Sequence, residues 1–130
     1  MFLHLMNDAQ KLEFLKLARQ MIGADEVVLD SEKAYLYRLF REAGLPANER
    51  RVADGAIADP AVFDTRRARV AVAVEALVLA WVDGEFDNTE KNIANDLIAR
   101  LDINDTDREE VHQAAEKIAG AIALVKKLTA

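Results

Sequence analysis

Residues 70–82 read VAVAVEALVLAWV, and residues 83–90 read DGEFDNTE. The first stretch is apolar at every position except Glu75, and it is much shorter than the roughly 20 residues that a membrane-spanning helix needs. Because odd and even positions are both apolar, the pattern is not that of a half-buried strand, and its alanines favour a helix. We expect a helix that begins at Asp64 or Thr65, ends at the glycine of the second stretch, and is covered by other helices on all sides.

The composition indicates one helical domain without disulfides, over residues 1–130. Apolar residues make up 52% of the chain, which has only 5 Gly, 2 Pro and no Cys. The 17 basic and 23 acidic residues give a net charge of −6, which argues against nucleic acid as a partner. The first six residues lack the basic region and cleavage site of a signal peptide, and no transmembrane segment is expected. A reducing cytoplasm is the expected location.

Capping residues and helical periodicity divide the rest of the chain into further helices. Asn7 or Asp8 is expected to begin the first helix, Asp30 or Ser31 the second, and Asn104 the last. The last helix has an apolar stripe whose members are spaced by three to four residues: Val111, Ala115, Ile118, Ile122, Val125 and Leu128.

Two short elements are expected between the second helix and the central one. Residues 48–57 indicate a short helix, and Asp59-Pro60 is a second start signal, with proline at the first helical position. Trp81 lies within the apolar run and is expected in the core.

The sequence repeats at an offset of 58 residues (83 − 25 = 58), and the alignment needs no gap. Asp25 coincides with Asp83, and Glu32 coincides with Glu90. Each copy reads as an apolar helix, an aspartate, a short turn, a glutamate seven residues later, and a second apolar helix. We therefore predict an all-α fold in which two pseudo-symmetric helix-turn-helix halves surround the buried central helix. The two copies cover residues 10–45 and 68–103.

Residues 80–91, AWVDGEFDNTEK, resemble the signature of the TerB-like family of tellurite-resistance proteins, and the resemblance spans residues 10 to 125. Residues 24–32, ADEVVLDSE, resemble the first copy of that signature, although Glu26 replaces its usual Gly and Leu29 its usual capping residue. The resemblance implies a TerB-like helical bundle of about six or seven helices. It also implies a non-enzymatic, cytoplasmic stress-response domain whose acidic residues bind a divalent cation.

The acidic residues of the two turns are candidate metal ligands. Asp87 with Glu90 fits a capping box, which needs no metal. An aspartate at a helix C-terminus faces the negative end of the helix dipole, and both copies place one there, so a cation or a hydrogen-bond network is expected beside it. An EF-hand is rejected because Asn88 stands at its glycine position and Ala94 at its final glutamate. The candidate ligands for Ca²⁺, Mg²⁺, Mn²⁺ or Zn²⁺ are Asp25, Glu32, Asp83, Glu85, Asp87 and Glu90.

An enzyme is not expected, and no catalytic residue is assigned. His4 and His112 are far apart, Ser31 fits a helix start, and the sequence contains no phosphate-binding loop, zinc-protease motif or nucleophile elbow. The alternative function is a helical protein-interaction or dimerisation module, in which the acids only cap helices and the partner is another protein or a second copy. Tyr35 and Tyr37 cannot both face the core, so one of them is expected on the surface.

Overall fold

The computed structural model describes residues 1–22, 30–45, 59–81 and 88–130, apart from the side chains of 30–33 and 88–90. These residues form five α-helices and two short 3-10 helices and contain no strand, which confirms the all-α class. The short helix predicted at 48–57 lies outside the described residues. The predicted total of six or seven helices therefore stays a prediction. No helix in the described ranges is both long and apolar enough to span a membrane. The α-helices are α1 (Asp8–Ile22), α2 (Asp30–Ala43), α3 (Arg66–Trp81), α4 (Asn88–Arg100) and α5 (Asp105–Leu128), and the 3-10 helices are Leu3–Leu5 and Pro60–Val62.

Three α-helices begin at the polar side chains that the sequence indicates. Asn7 and Gln10 form a reciprocal capping box at the start of α1, because each side-chain oxygen accepts the other residue's backbone N–H at 2.9 Å. The Thr65 hydroxyl accepts the N–H of Ala68 at 3.1 Å, and Asn104 Oδ1 accepts the N–H three residues later at 2.8 Å. The predicted starts of α1, α3 and α5 are therefore confirmed.

Helix α3 is the centre of the fold. Every residue from Ala71 to Ala80 is buried, and α3 packs against α5, α4 and α1. A helix that is apolar on all faces is stable in water only when neighbours cover it, at about 25 cal/mol for each Å² of apolar surface removed from water. The expected burial of Trp81 is wrong, since its side chain is 37% exposed at the last residue of the helix.

The helix starts follow the 58-residue offset of the sequence. Helices α1 and α3 begin at Asp8 and Arg66 (66 − 8 = 58), and α2 and α4 begin at Asp30 and Asn88 (88 − 30 = 58). The first helices of the two pairs, α1 and α3, therefore correspond to each other, and so do the second helices, α2 and α4.

The ends of α2 and α4 also correspond. Gly44 follows α2 with φ of 65°, and Asp102, which is 58 residues later, has φ of 54°. The next residues, Leu45 and Ile103, are both buried. A left-handed residue followed by a buried apolar one is a common helix stop, and here it turns the chain back onto the core after each hairpin.

Helix α5 is packed along only part of its length. Val111 and Ala115 are buried and Ile118 and Ile122 are half-buried, but Leu128 is 74% exposed. The apolar stripe of α5 therefore faces the core in the first part of the helix and solvent in the last turns. The reason is length: α5 has 24 residues and α3 has 16, so at 1.5 Å per residue α5 is about 12 Å longer than the helix on which it packs.

Candidate functional site

Most of the predicted metal site cannot be placed on this fold. Four of the six predicted ligands lie outside the described residues: Asp25, Asp83, Glu85 and Asp87. Glu32 and Glu90 are the third residues of α2 and α4, so they occupy equivalent backbone positions, but their side chains are not described. A cation site at the two turns therefore stays a prediction. Elsewhere, within the described ranges, no three His, Asp or Glu side chains are grouped to hold a metal ion.

A groove of about 620 Å³ lies between α2 and the second half of α5. Tyr35 and Leu39 line it from α2, and Ile118, Ile122 and Val125 line it from α5. We call it the α2–α5 groove. Its walls are mostly apolar, and it is open to solvent rather than enclosed. Because α5 packs mainly on α3 and hardly touches α2 among the described residues, the two walls stand apart.

A second groove, of about 400 Å³, lies between α3 and α5. Its walls include Phe2 from the N-terminal segment, Val70 and Val74 from α3, and Ala114 and Ile118 from α5. Since Ile118 lines both grooves, apolar surface continues around α5 at this level.

The distal half of α5, residues 117–128, also exposes apolar surface to solvent. Residues 118–125 read IAGAIALV, without one charged or polar side chain. Leu124 and Val125 are 56% and 58% exposed. Residues 118–125 are as apolar as the central run of α3, but only one side of α5 faces the rest of the molecule at this level.

Charged side chains border the α2–α5 groove. Arg38 comes from α2 and Lys126 from α5, on opposite walls, and Glu42 lies one helical turn after Arg38. The Arg38 guanidinium lies over the Tyr35 ring at 5.5 Å from its centroid, within the range of a cation–π contact. Burial raises the pKa of Tyr35, and the charges of Glu75 and Glu42 raise it further, so the Tyr35 hydroxyl stays neutral and can donate a hydrogen bond.

A buried carboxylate lies near the polar end of the same groove. Glu75 is in the middle of α3 and only 2% exposed, and its Oε1 accepts the N–H of Phe2 at 2.6 Å. The Met1 ammonium lies 3.0 Å from Glu75 and 2.6 Å from Glu42. Burial lowers the pKa of this ammonium, but the hydrogen bonds and charges of the two glutamates outweigh it, and the pKa is raised. The N-terminal segment is thereby attached to the central helix.

The first half of α5 is fixed by a different ion pair. Arg66, the first residue of α3, donates to both carboxylate oxygens of Asp107, with Nε at 2.7 Å and Nη2 at 2.8 Å. The hydrogen bonds from Arg66 hold the pKa of Asp107 below its usual range. A bidentate pair restricts orientation as well as distance, so it fixes how the start of α5 lies against α3.

Sequence reasoning missed the groove and the partner of Glu75. The signal for the first is the run at 118–125, which is apolar on all faces at the end of a helix longer than its neighbours. The signal for the second is a carboxylate inside an otherwise apolar helix, which requires a buried donor or cation. Tyr37 is 64% exposed and Tyr35 is half-buried, so the prediction that one of these tyrosines is on the surface is confirmed.

No protein-family model, curated protein sequence or solved structure matches this chain. What bears on its function is the geometry of the α2–α5 groove and of the helix beside it.

Proposed function

We propose that the chain is a non-enzymatic helical interaction module that binds another protein surface through the distal half of α5. The observation that carries this proposal is the exposure of an apolar helix. Leu124, Val125 and Leu128 are each more than half exposed on one helix, next to a groove with apolar walls. Contiguous apolar surface of this kind marks interaction sites on folded proteins.

The contrast with α3 gives the physical reason. Both helices contain an apolar run, which in α3 is interrupted only by Glu75. In α3 the rest of the molecule covers every face of this run. The residues described here leave the distal half of α5 without such a cover. The charged groups at the end of the groove do not suggest a reaction, since the Met1 ammonium already pairs with Glu42 and Glu75.

Photo-crosslinking in cells tests the proposal even when the partner is unidentified. We would place p-benzoylphenylalanine at Val125, which lines the groove and is exposed. The matched control carries it at His112, which is exposed on the same helix outside the groove. We expect one discrete adduct from position 125 and none from position 112. The absence of an adduct at position 125 would remove the proposal, and an adduct of twice the chain's mass would identify the module as a dimerisation module.

A second function is favoured by the repeated hairpins. Helices α1 and α3 both end just before an aspartate of the sequence repeat, Asp25 or Asp83. This arrangement supports a TerB-like stress-response domain that binds a divalent cation with the acids of both turns. The test is a titration with Ca²⁺, Mg²⁺, Mn²⁺ and Zn²⁺ while the amide resonances of Asp25 and Asp83 are followed, with Asp83→Ala as the control. Resonances that do not move at millimolar metal would exclude this function and leave the interaction module unaffected.

A further inference from the structure

We infer that two copies of this chain associate through the outer face of α5, with their α5 helices antiparallel about a twofold axis. We define the outer face by four exposed residues of this helix: Glu116, Gly120, Ala123 and Lys127. None of them lines the α2–α5 groove. The inference therefore goes beyond the proposed function and does not depend on it, since the groove stays available to a different protein.

The spacing of the outer face is that of a helix packed on another helix. Its residues follow one another at intervals of four, three and four, and successive helical residues are about 100° apart, so all four lie within a sector of about 60°. This interval is the one that the contact line between two packed helices requires. Leu124, which is 56% exposed, borders the sector. The outer face is thus one continuous line along the helix.

The charges of the outer face are complementary to those of a second copy. The face has an acid at one end, Glu116, and a base at the other, Lys127, and neither side chain takes part in an ion pair within the described part of the chain. In an antiparallel pair of helices centred midway between them, residue i of one copy lies level with residue 243 − i of the other (116 + 127 = 243). Lys127 then lies level with Glu116 of the other copy, and the twofold axis repeats this pair. A parallel pair would bring like charges together instead.

The centre of the outer face allows the two helices to approach closely. Gly120 of one copy lies level with Ala123 of the other (243 − 123 = 120), and the distance between packed helices depends on the side chains at the contact. A glycine inside a helix is unfavourable, yet a Cβ built at Gly120 meets no heavy atom within 4 Å, so no packing within the chain requires it. The close approach of another backbone is a reason for a glycine at such a position. Leu124 of each copy then packs beside Gly120 of the other and loses its exposure to water.

The contact is small, so the dimer should be weak and reversible. From Glu116 to Lys127 the outer face covers about three helical turns of each copy, which is less than a standard protein–protein interface. We expect a dissociation constant of roughly 0.1 mM. Sedimentation equilibrium of the full chain at one fixed salt concentration, with chain concentrations up to about ten times this value, measures it.

Charge reversal tests the antiparallel pairing. In Glu116→Lys both pairs join two lysines, and in Lys127→Glu both pairs join two glutamates. We expect each variant alone to associate roughly tenfold more weakly than the wild type. An equimolar mixture of the two variants should form a mixed dimer, because each pair then joins a lysine to a glutamate. The double variant, which carries both reversals, should associate within about twofold of the wild type.

Matched controls separate this pairing from the effect of net charge. Glu109→Lys and Arg108→Glu change the net charge by the same amounts as the two reversals, at exposed positions of the same helix. They lie level with positions 134 and 135 (243 − 109 and 243 − 108), beyond Leu128, where α5 ends. Both controls should therefore associate as the wild type does. Because all four substituted side chains are exposed, circular dichroism should show the wild-type helix content in every variant.

Three results would overturn the inference. The wild type could remain a monomer at the highest concentration, the single reversals could leave association unchanged, or the mixture and the double variant could fail to restore it. The crosslink from position 125, on the groove side of α5, decides the proposed function separately. A crosslink to another protein from a chain that stays monomeric would keep the interaction function and remove the dimer. A dimer with restored pairing but no crosslink would do the reverse.

Discussion

Replacing Gly44 by alanine should destabilise the protein, while the same replacement at Gly120 should stabilise it. Gly44 has φ of 65°, in the left-handed region, where a residue with a Cβ costs about 1–2 kcal/mol. Alanine also restricts the unfolded chain, which offsets about 0.4–1 kcal/mol of that cost. The expected net loss in the free energy of unfolding is therefore about 1 kcal/mol.

Crowding around the new methyl group does not enter this estimate. A Cβ built at Gly44 meets no heavy atom within 4 Å, and the same holds for Gly120. Gly120 lies inside α5 and is exposed, where glycine is about 0.8–1 kcal/mol less favourable than alanine. The two variants therefore differ in backbone conformation alone, and their effects should have opposite signs.

Asp102 gives the reciprocal test at the equivalent position of the second hairpin. Its φ of 54° places an L side chain in the left-handed region. Asp102→Gly should relieve about 1–2 kcal/mol of backbone cost and lose about 0.5–1 kcal/mol to the greater freedom of glycine in the unfolded chain. The expected net gain is about 0.5 kcal/mol.

Urea unfolding followed by far-UV circular dichroism measures all three variants. With a slope of about 2 kcal/mol per molar urea, the midpoint should fall by about 0.5 M for Gly44→Ala and rise by a similar amount for Gly120→Ala. The slopes themselves should not change. If both alanine variants moved the midpoint in the same direction, the assignment of Gly44 as a left-handed helix stop would be wrong.

Three further predictions concern charged groups. Glu75→Gln should lower the free energy of unfolding by about 1 kcal/mol, because the amide keeps an acceptor oxygen but loses the charge that faces the Met1 ammonium. An unchanged urea midpoint would contradict this prediction. The raised pKa of that ammonium means that its stabilising contribution is complete below its usual value of about 8 and is lost as the pH rises through the raised pKa. Unfolding measured from pH 7 to 10 should show this loss in the wild type and a smaller one in Glu75→Gln, and equal slopes would refute it. The pKa of Asp107 is lowered, so its pairing with Arg66 stabilises the fold fully at pH values above the usual aspartate pKa of about 4. This stabilisation is lost as the pH falls through the lowered pKa. Arg66→Gln should therefore lose less stability than the wild type between pH 5 and about 2.

The features that could be predicted from the sequence are those that local chemistry decides. A side-chain oxygen next to an apolar periodic run identifies a helix start, as Thr65 and Asn104 do here. The burial of α3 follows from a composition that cannot face water on any side. Neither inference depends on contacts between distant parts of the chain.

The features that could not be predicted depend on how far neighbouring elements extend. Periodicity shows which side of α5 is apolar, but it contains no information about where α3 ends beside it, so it does not predict the exposure of Leu128. The expected burial of Trp81 fails for the same reason, because this residue is the last of its helix. The partner of Glu75 is 73 residues away in the sequence, at Phe2, and only the packed structure brings them together. The cation site at the acidic turns remains a prediction from the sequence.

The uneven packing of α5 has a consequence for amide hydrogen exchange. Amides near Val111 can exchange only when the core opens, because their helix turn is held by buried side chains. Amides after Ile122 are held mainly by their own helical hydrogen bonds, and a short helical segment is marginally stable in water. Exchange should therefore accelerate along α5 towards Leu128, and a molecule that occupies the groove should slow it there first. The protection profile of this single helix thus reports occupancy before any partner has been identified.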